Sequence, residues 1–148
     1  MKRRLMLTGV ILVLISWATG CTQAEPSPPV SNGGTVTDYV SLVDNLRAAG
    51  AIVEPAGEIS QPFFSVTGNA IMVDGENVQV FKYADAASAE AEAALVSADG
   101  SSIGNTMVGW VATPHFYRVE KLIVIYVGDN AETLNMLESV LGAQFAGR

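Results

Sequence analysis

The chain has 148 residues, with eight basic residues, 15 acidic residues and a single cysteine, and its formal net charge at pH 7 is −7. This length is enough for one domain with a single core and too short for two ordinary domains. The acidic balance excludes nucleic acid as an expected partner, because no basic patch is available to neutralise phosphates. A lone cysteine cannot form an intrachain disulfide or a multi-cysteine metal site, so the core alone must hold the fold.

The first 20 residues have the three parts of a secretory signal. A basic tip, Lys2-Arg3-Arg4, is followed by an apolar run from Leu5 to Trp17 and by the small residues Ala18-Thr19-Gly20. The basic tip stays on the cytoplasmic side while the apolar run enters the translocon. This run has roughly 13 residues, fewer than the about 20 that a helix needs to cross a bilayer. The pattern therefore favours a signal peptide over residues 1–20, with a permanent transmembrane anchor as the alternative.

The stretch Ala18-Thr19-Gly20-Cys21 resembles the lipobox of bacterial lipoproteins. In that family the cysteine carries a thioether-linked diacylglycerol with acyl chains such as palmitate, and it becomes the first residue of the mature protein. The family usually has leucine where this chain has Ala18, which leaves ordinary signal cleavage and a free thiol at Cys21 as an alternative. The resemblance covers the first 21 residues only.

The lipobox resemblance implies an extracytoplasmic protein anchored to the cell membrane through lipid on Cys21. Residue Thr22 is not the aspartate associated with inner-membrane retention, so the outer membrane is expected if the host has two membranes. Without residues 1–20, the chain contains five basic and 15 acidic residues, and its net charge becomes −10. Such a domain is repelled by anionic lipid, and its acidity keeps a tethered protein soluble.

Residues 21–34 are predicted to be the lipidated cysteine and a flexible tether, and residues 35–148 a single α+β domain. The tether has three prolines and two glycines and little apolar content, so it cannot offset the entropy cost of ordering. The domain opens with a predicted helix, for which 35–38 has capping-box spacing and Thr37 is the alternative N-cap. Gly50 ends this helix, and its apolar residues recur at helical intervals, namely Tyr39, Leu42, Val43 and Leu46.

The middle of the chain predicts strands joined by tight turns. An extended segment begins at 51–53, and 63–73 is predicted as a strand with a bend at Gly68-Asn69. The dipeptide Asp74-Gly75 predicts a hairpin turn into a returning strand over 78–83. An alanine- and glutamate-rich helix then runs from its cap Asp85 to about Val96.

The last third predicts further strands, of which one or two short ones are uncertain, and a helix. After a loop over 99–105, the segments 107–112 and 115–119 are extended, and the most apolar strand, within 121–127, is expected at the centre of the sheet. Asp129, with Glu132 three residues later, is the predicted cap of the final helix. Gly142 ends that helix, whose predicted buried stripe comprises Leu134, Leu137, Val140 and Leu141.

The element order α, β, β, β, α, β, β, α predicts an α+β fold. We expect a single antiparallel sheet of about four to six strands, with three helices packed on one of its faces. Residues 71–97 also align with 115–141 at an offset of 44 without a gap, so that Val80 meets Val124 and Asp85 meets Asp129. This alignment indicates either two ββα repeats or the constraints shared by any hairpin followed by a helix.

No set of residues predicts catalysis, a metal or a cofactor. His115 is the only histidine, and the serines near it in sequence, Ser101 and Ser102, lie in a glycine-rich loop without a nucleophile-elbow motif. Asp74, Glu76 and Asn77 crowd one turn but miss the spacing of a calcium loop. An enzyme would have to use His115 with the 99–105 loop.

Aromatic residues are the strongest sign of a binding site. Adjacent residues of a strand point to opposite faces, so some of these side chains must leave the core. If they converge, they form an apolar patch with polar groups, which is typical of a binding site. The predicted shared surface comprises Phe63, Phe64, Trp110, His115 and Tyr117.

Together these patterns predict a lipid-anchored envelope protein that acts as a non-enzymatic binding or interaction module. Its expected partners are the membrane, through the N-terminal lipid, and either an envelope protein or a small ligand. The alternative is an envelope enzyme, or an enzyme accessory or inhibitor, that uses His115 and the 99–105 loop.

Overall fold

The computed structural model describes residues 34–147. The predicted signal peptide, Cys21 and all but the last residue of the predicted tether lie outside this range. The signal peptide, the lipidation of Cys21 and the tether therefore remain predictions. Within it, elements follow one another in the order α1 (Tyr39–Ala48), β1 (Val53–Ile59), β2 (Gly68–Val73), β3 (Glu76–Lys82), α2 (Ala86–Ala93), β4 (Ser102–Ile103), β5 (Thr106–Met107), β6 (Pro114–Val119), β7 (Leu122–Val127), α3 (Ala131–Leu141) and β8 (Ala146–Gly147).

Six of the strands form one antiparallel sheet in the order β1-β2-β3-β7-β6-β8, and β4 and β5 form a separate two-stranded sheet. The predicted α+β class with one main antiparallel sheet is confirmed. The strand β7 lies inside the sheet between β3 and β6, as its sequence LIVIYV predicts. The predicted turn between β2 and β3 also forms, with positive φ angles of 51° at Asp74 and 88° at Gly75, as hairpin turns of the primed types require.

Two separate cores lie on the two faces of this sheet. On the first, which we call the two-helix face, α1 and α3 cover a cluster that includes Val80, Val124 and Tyr126. On the second, the one-helix face, Ala89 and Ala93 of α2 belong to a cluster with buried side chains of the sheet, namely Phe81, Phe116, Ile123 and Ile125. Successive residues of each strand thus serve opposite cores.

The prediction that all three helices share one face is therefore wrong. Its physical reason lies in β6 and β7, in which consecutive residues from Pro114 to Tyr117 and from Leu122 to Tyr126 are buried. A strand that buries side chains on both faces needs cover on both. In this fold α3 packs above the two-helix face, while α2 packs against β6 and β7 from the other side.

The placement of the helices also decides between the two interpretations of the 44-residue alignment. Val80 of β3 lies directly opposite Val124 of β7 in the sheet, so the two hairpins do occupy matching places. However, the helices that follow them, α2 and α3, lie on opposite faces. The alignment therefore reflects hairpin constraints and not a repeated ββα unit.

Several element boundaries differ from the predicted ones. The N-cap of α1 is Asp38, whose carboxylate accepts from the Ser41 N–H while the Ser41 hydroxyl accepts from the Asp38 N–H. The N-cap of α3 is Asn130 and not Asp129. Residues 63–67 are not strand, because the N–H of Phe64 donates to the Gln61 carbonyl oxygen and closes a turn.

Candidate functional site

The five residues predicted to line a shared surface do not form one. Phe63, Phe64 and Trp110 lie together on the one-helix face. His115 pairs with Tyr126 across β6 and β7, and Tyr117 pairs with Val124. Both therefore point to the two-helix face. The prediction of one surface is wrong because residues two apart in β6 share a face that α3 covers.

Tyr117 is a core residue and not a surface residue. Its side chain is fully buried, and its hydroxyl has no hydrogen-bond partner among the described residues. Burial raises the pKa of Tyr117 to about 12, with smaller contributions from the nearby charges of Glu138 and Tyr126. A phenol in this position stays neutral in the physiological range and offers nothing to a ligand outside.

His115 is buried at the edge of the two-helix face, with 6 % of its surface exposed. Its Nδ1 lies 2.7 Å from Oε1 of Gln144, and its ring stacks on Tyr126 with centroids 6.0 Å apart. Its Nε2 is buried and has no partner within 34–147. The histidine thus helps to fasten the C-terminal segment to β6.

The 99–105 loop is organised by Asp99 and not by His115. The Asp99 carboxylate accepts from the hydroxyls of Ser97 and Ser101 and from the Ser101 N–H. These hydrogen bonds lower the pKa of Asp99 to about 2. The hydrogen bonds of His115 and of Asp99 share no residue, so no serine–histidine–aspartate relay forms.

Trp110 anchors the segment that crosses the one-helix face. Its ring makes edge contacts with Phe63 and Phe116, with centroids 5.9 and 5.8 Å away, and its Nε1 donates to the Gly100 carbonyl oxygen at 2.7 Å. Phe63 continues the contacts to Phe64 at 5.1 Å. The aromatic residues singled out from sequence on this face therefore form a rigid wall.

Beside this wall lies a cleft of about 370 Å³. Its lining combines side-chain amides with apolar side chains and carries no formal charge. We call it the amide cleft; its lining residues are Gln61, Asn77, Gln79, Val108, Gly109, Trp110, Val111 and Val127.

A hydrogen bond between two glutamines forms one side of the amide cleft. Nε2 of Gln61 donates to Oε1 of Gln79 at 2.9 Å, and both side chains are half-buried. In the sheet Gln79 lies between Ala70 of β2 and Ile125 of β7, on the one-helix face. This residue was not singled out from the sequence, because a polar residue that alternates with Val78 and Val80 is expected to face solvent.

The rim of the amide cleft is apolar and open. Val111, which also lines the cleft, is 98 % exposed, and Met107 in β5 is 82 % exposed. Val111, in the segment between β5 and β6, is thus an apolar side chain that the core does not use.

A second groove, of about 220 Å³, lies between α1 and the β1 edge of the two-helix face. It contains Asp44 and Arg47, and the guanidinium of Arg47 donates to the Val53 carbonyl oxygen at 3.0 Å. Unlike the amide cleft, this groove therefore has charged side chains in its lining. Across residues 34–147, no three histidine, cysteine, aspartate or glutamate side chains gather in a way that could hold a metal ion.

No helix within 34–147 combines the length and apolar character needed to cross a membrane. Comparisons of the chain with protein-family models, curated proteins and solved structures gave no match. The functional interpretation therefore depends on the geometry of this domain.

Proposed function

We propose that this chain is a lipid-anchored protein of the bacterial envelope, and that its domain binds a ligand in the amide cleft without catalysing a reaction. The cleft carries the binding part of the proposal. Ligand sites are typically concave, have mostly apolar walls and contain a few fixed polar groups. The amide cleft has this make-up, with Trp110 and three valines beside three side-chain amides.

The charge distribution supports the same proposal. The domain is strongly acidic, yet the lining of the amide cleft is uncharged. Acidic residues elsewhere keep the protein soluble and away from anionic surfaces, while the neutral cleft stays available for contact. The proposal includes no catalytic step, because His115 and Asp99 have separate hydrogen-bond partners.

The lipid anchor is supported by the signal pattern that ends at Cys21. Its test is metabolic labelling of the full chain in its host with an alkyne fatty acid, followed by membrane fractionation. We expect the wild type to carry the label and to be recovered in the membrane fraction. A Cys21→Ser variant should carry no label and should no longer be recovered with the wild type. An unlabelled wild type would contradict the anchor.

Site-specific photo-crosslinking in cells tests the binding part. A photoreactive phenylalanine analogue placed at Val111, on the rim of the cleft, is compared with the same analogue at Ile52, which is 70 % exposed and does not line the cleft. We expect a discrete adduct from position 111 only. Equal adducts from both positions, or none from position 111, would contradict a ligand site in the amide cleft.

A further inference from the structure

The geometry of the two glutamines points to a ligand class, and this inference rests on the proposed function of the amide cleft. We infer that the cleft recognises the backbone of an uncharged polypeptide segment. Gln61 and Gln79 would bind one peptide unit of that segment, and the valines would contact its side chains.

The pairing of Gln61 with Gln79 leaves a defined pattern of polar groups. A side-chain amide has one carbonyl oxygen and one amino group. With Nε2 of Gln61 bonded to Oε1 of Gln79, the oxygen of Gln61 and the amino group of Gln79 make no further hydrogen bond within the described residues. Exchanging nitrogen and oxygen in both side chains would still leave one acceptor and one donor.

This pattern matches a peptide unit. Each backbone amide of a polypeptide presents one N–H donor and one C=O acceptor. Both glutamines are half-buried, so their remaining groups are partly removed from water. Polar groups in this state gain most from a ligand that supplies both partners, because an unpaired buried group costs free energy.

The other lining residues favour an uncharged segment with apolar side chains. Val108, Val111 and Val127 line the cleft, and the exposed Met107 lies in the adjoining β5. Methionine is a flexible side chain that adapts to different apolar partners. An anionic segment is disfavoured by the acidic domain, and a charge of either sign would find no oppositely charged side chain in the lining.

A saccharide fits the same cleft less well. Sugar recognition would use Trp110 as an open stacking face or as a hydrogen-bond donor. The indole N–H already donates to Gly100, and the ring has edge contacts with Phe63 and Phe116. Trp110 therefore acts as a wall of the cleft, and the unused polar groups belong to the glutamine pair.

The test measures binding of defined probes to the full chain purified in detergent. The main probe is a fluorescently labelled octapeptide of alanine, valine and serine with blocked ends. Its binding is measured by fluorescence anisotropy. A peptide of the same sequence with N-methylated backbone amides lacks the N–H donors. A glutamate-containing octapeptide and a neutral chito-oligosaccharide, used as competitors, test the other ligand classes.

We expect the neutral peptide to bind, and its N-methylated counterpart to bind about tenfold more weakly, as the loss of hydrogen bonds predicts. Gln79→Ala should weaken binding by a similar factor. The matched control is Asn69→Ala, because Asn69 is an exposed amide of the neighbouring strand β2 that lies opposite Val80 of the two-helix face. This control should leave the affinity within about twofold of the wild type.

Melting temperature shows whether each variant folds, and Gln61→Ala replaces Gln79→Ala if the latter does not. Equal affinity for the N-methylated peptide, competition by the chito-oligosaccharide alone, or no peptide binding at about 1 mM would overturn the inference. An adduct at position 111 in cells together with any of these results would retain the proposed function and reject the peptide class. Absence of that adduct would reject the proposed function itself.

Discussion

The two faces of the sheet differ in how completely they are covered. On the two-helix face, α1 and α3 contact each other and cover a cluster of large aliphatic and aromatic side chains. On the one-helix face, α2 has only eight residues and turns small residues, Ala89 and Ala93, towards the sheet. Loops complete the cover there, and the amide cleft lies between one of these loops and the sheet.

This difference leaves an open cleft on the one-helix face and a closed core on the two-helix face. The eleven residues of α3 place Leu137, Val140 and Leu141 in the closed core, where burial stabilises the fold. The one-helix face concentrates its burial near Phe81 and Phe116. The remaining area can hold polar side chains such as Gln79, because no helix covers them.

Leucine substitutions in α3 and just after α2 should give the largest difference. Leu137 of α3 is fully buried, whereas Leu95, just after α2, is 50 % exposed. We expect Leu137→Ala to lower the free energy of unfolding by about 2–5 kcal/mol, because it removes buried methyl groups and leaves a cavity. Leu95→Ala should change it by less than about 0.5 kcal/mol. Urea unfolding measures both, and similar losses would remove the contrast between the faces.

The buried tyrosines allow a test on each face at high pH. Tyr117 lies under the two-helix face and Tyr83 under the one-helix face, and neither hydroxyl has a partner among the described residues. Burial raises the pKa of Tyr83, and the nearby negative charge of Glu92 raises it further. Burial likewise raises the pKa of Tyr117 to about 12. Unfolded tyrosine ionises near pH 10 and these buried tyrosines only at higher pH, so the free energy of unfolding does not depend on them below that pH and falls as the pH rises from about 10 towards 12.

The variants Tyr117→Phe and Tyr83→Phe should each raise the free energy of unfolding at neutral pH by about 1 kcal/mol, since each removes an unpaired buried hydroxyl. Each should also lose less stability than the wild type between about pH 10 and pH 12. Urea midpoints at several pH values provide the measurement. A variant that is less stable than the wild type at neutral pH would indicate a hydrogen bond to the hydroxyl it lacks.

The smallest effects are expected at two exposed apolar side chains, Met107 in β5 and Val111 on the rim of the amide cleft. Met107→Ser and Val111→Ser replace side chains that are almost fully exposed, so each should change the free energy of unfolding by no more than about 0.5 kcal/mol. Thermal unfolding checks this expectation. If Val111→Ser lowered the free energy of unfolding by more than about 1 kcal/mol, Val111 would have to pack against the domain, and the rim of the cleft would not be open.

Local signals in the sequence predicted much of the fold. Asp74-Gly75 predicted the β2–β3 turn, Asp85 predicted the start of α2, and the apolar run of β7 predicted its central place. The face of the sheet that α2 covers could not be predicted from its own sequence. Its alanine-rich sequence has little preference for one face, and the choice depends on β6 and β7, which bury side chains on both faces.

The candidate site was only partly predictable. The sequence predicted one surface of five residues, and only Phe63, Phe64 and Trp110 of that set lie together, because strand alternation places the other two on the opposite face. The glutamine pair could not be found from periodicity, since Gln61 and Gln79 are 18 residues apart and meet only through tertiary structure. The predicted buried stripe of α3 also included Leu134, whose side chain is only half-buried.

Two side-chain amides allow a direct test of the contrast between the faces. Asn45 of α1 is fully buried, and its Nδ2 donates to the Ser41 carbonyl oxygen at 2.7 Å, whereas Gln79 lines the amide cleft. Both NH₂ groups can be observed in ¹⁵N-labelled protein while a neutral gadolinium chelate is added. We predict strong broadening of the Gln79 signal and little broadening of the Asn45 signal. Equal protection of the two signals would contradict an open cleft on the one-helix face.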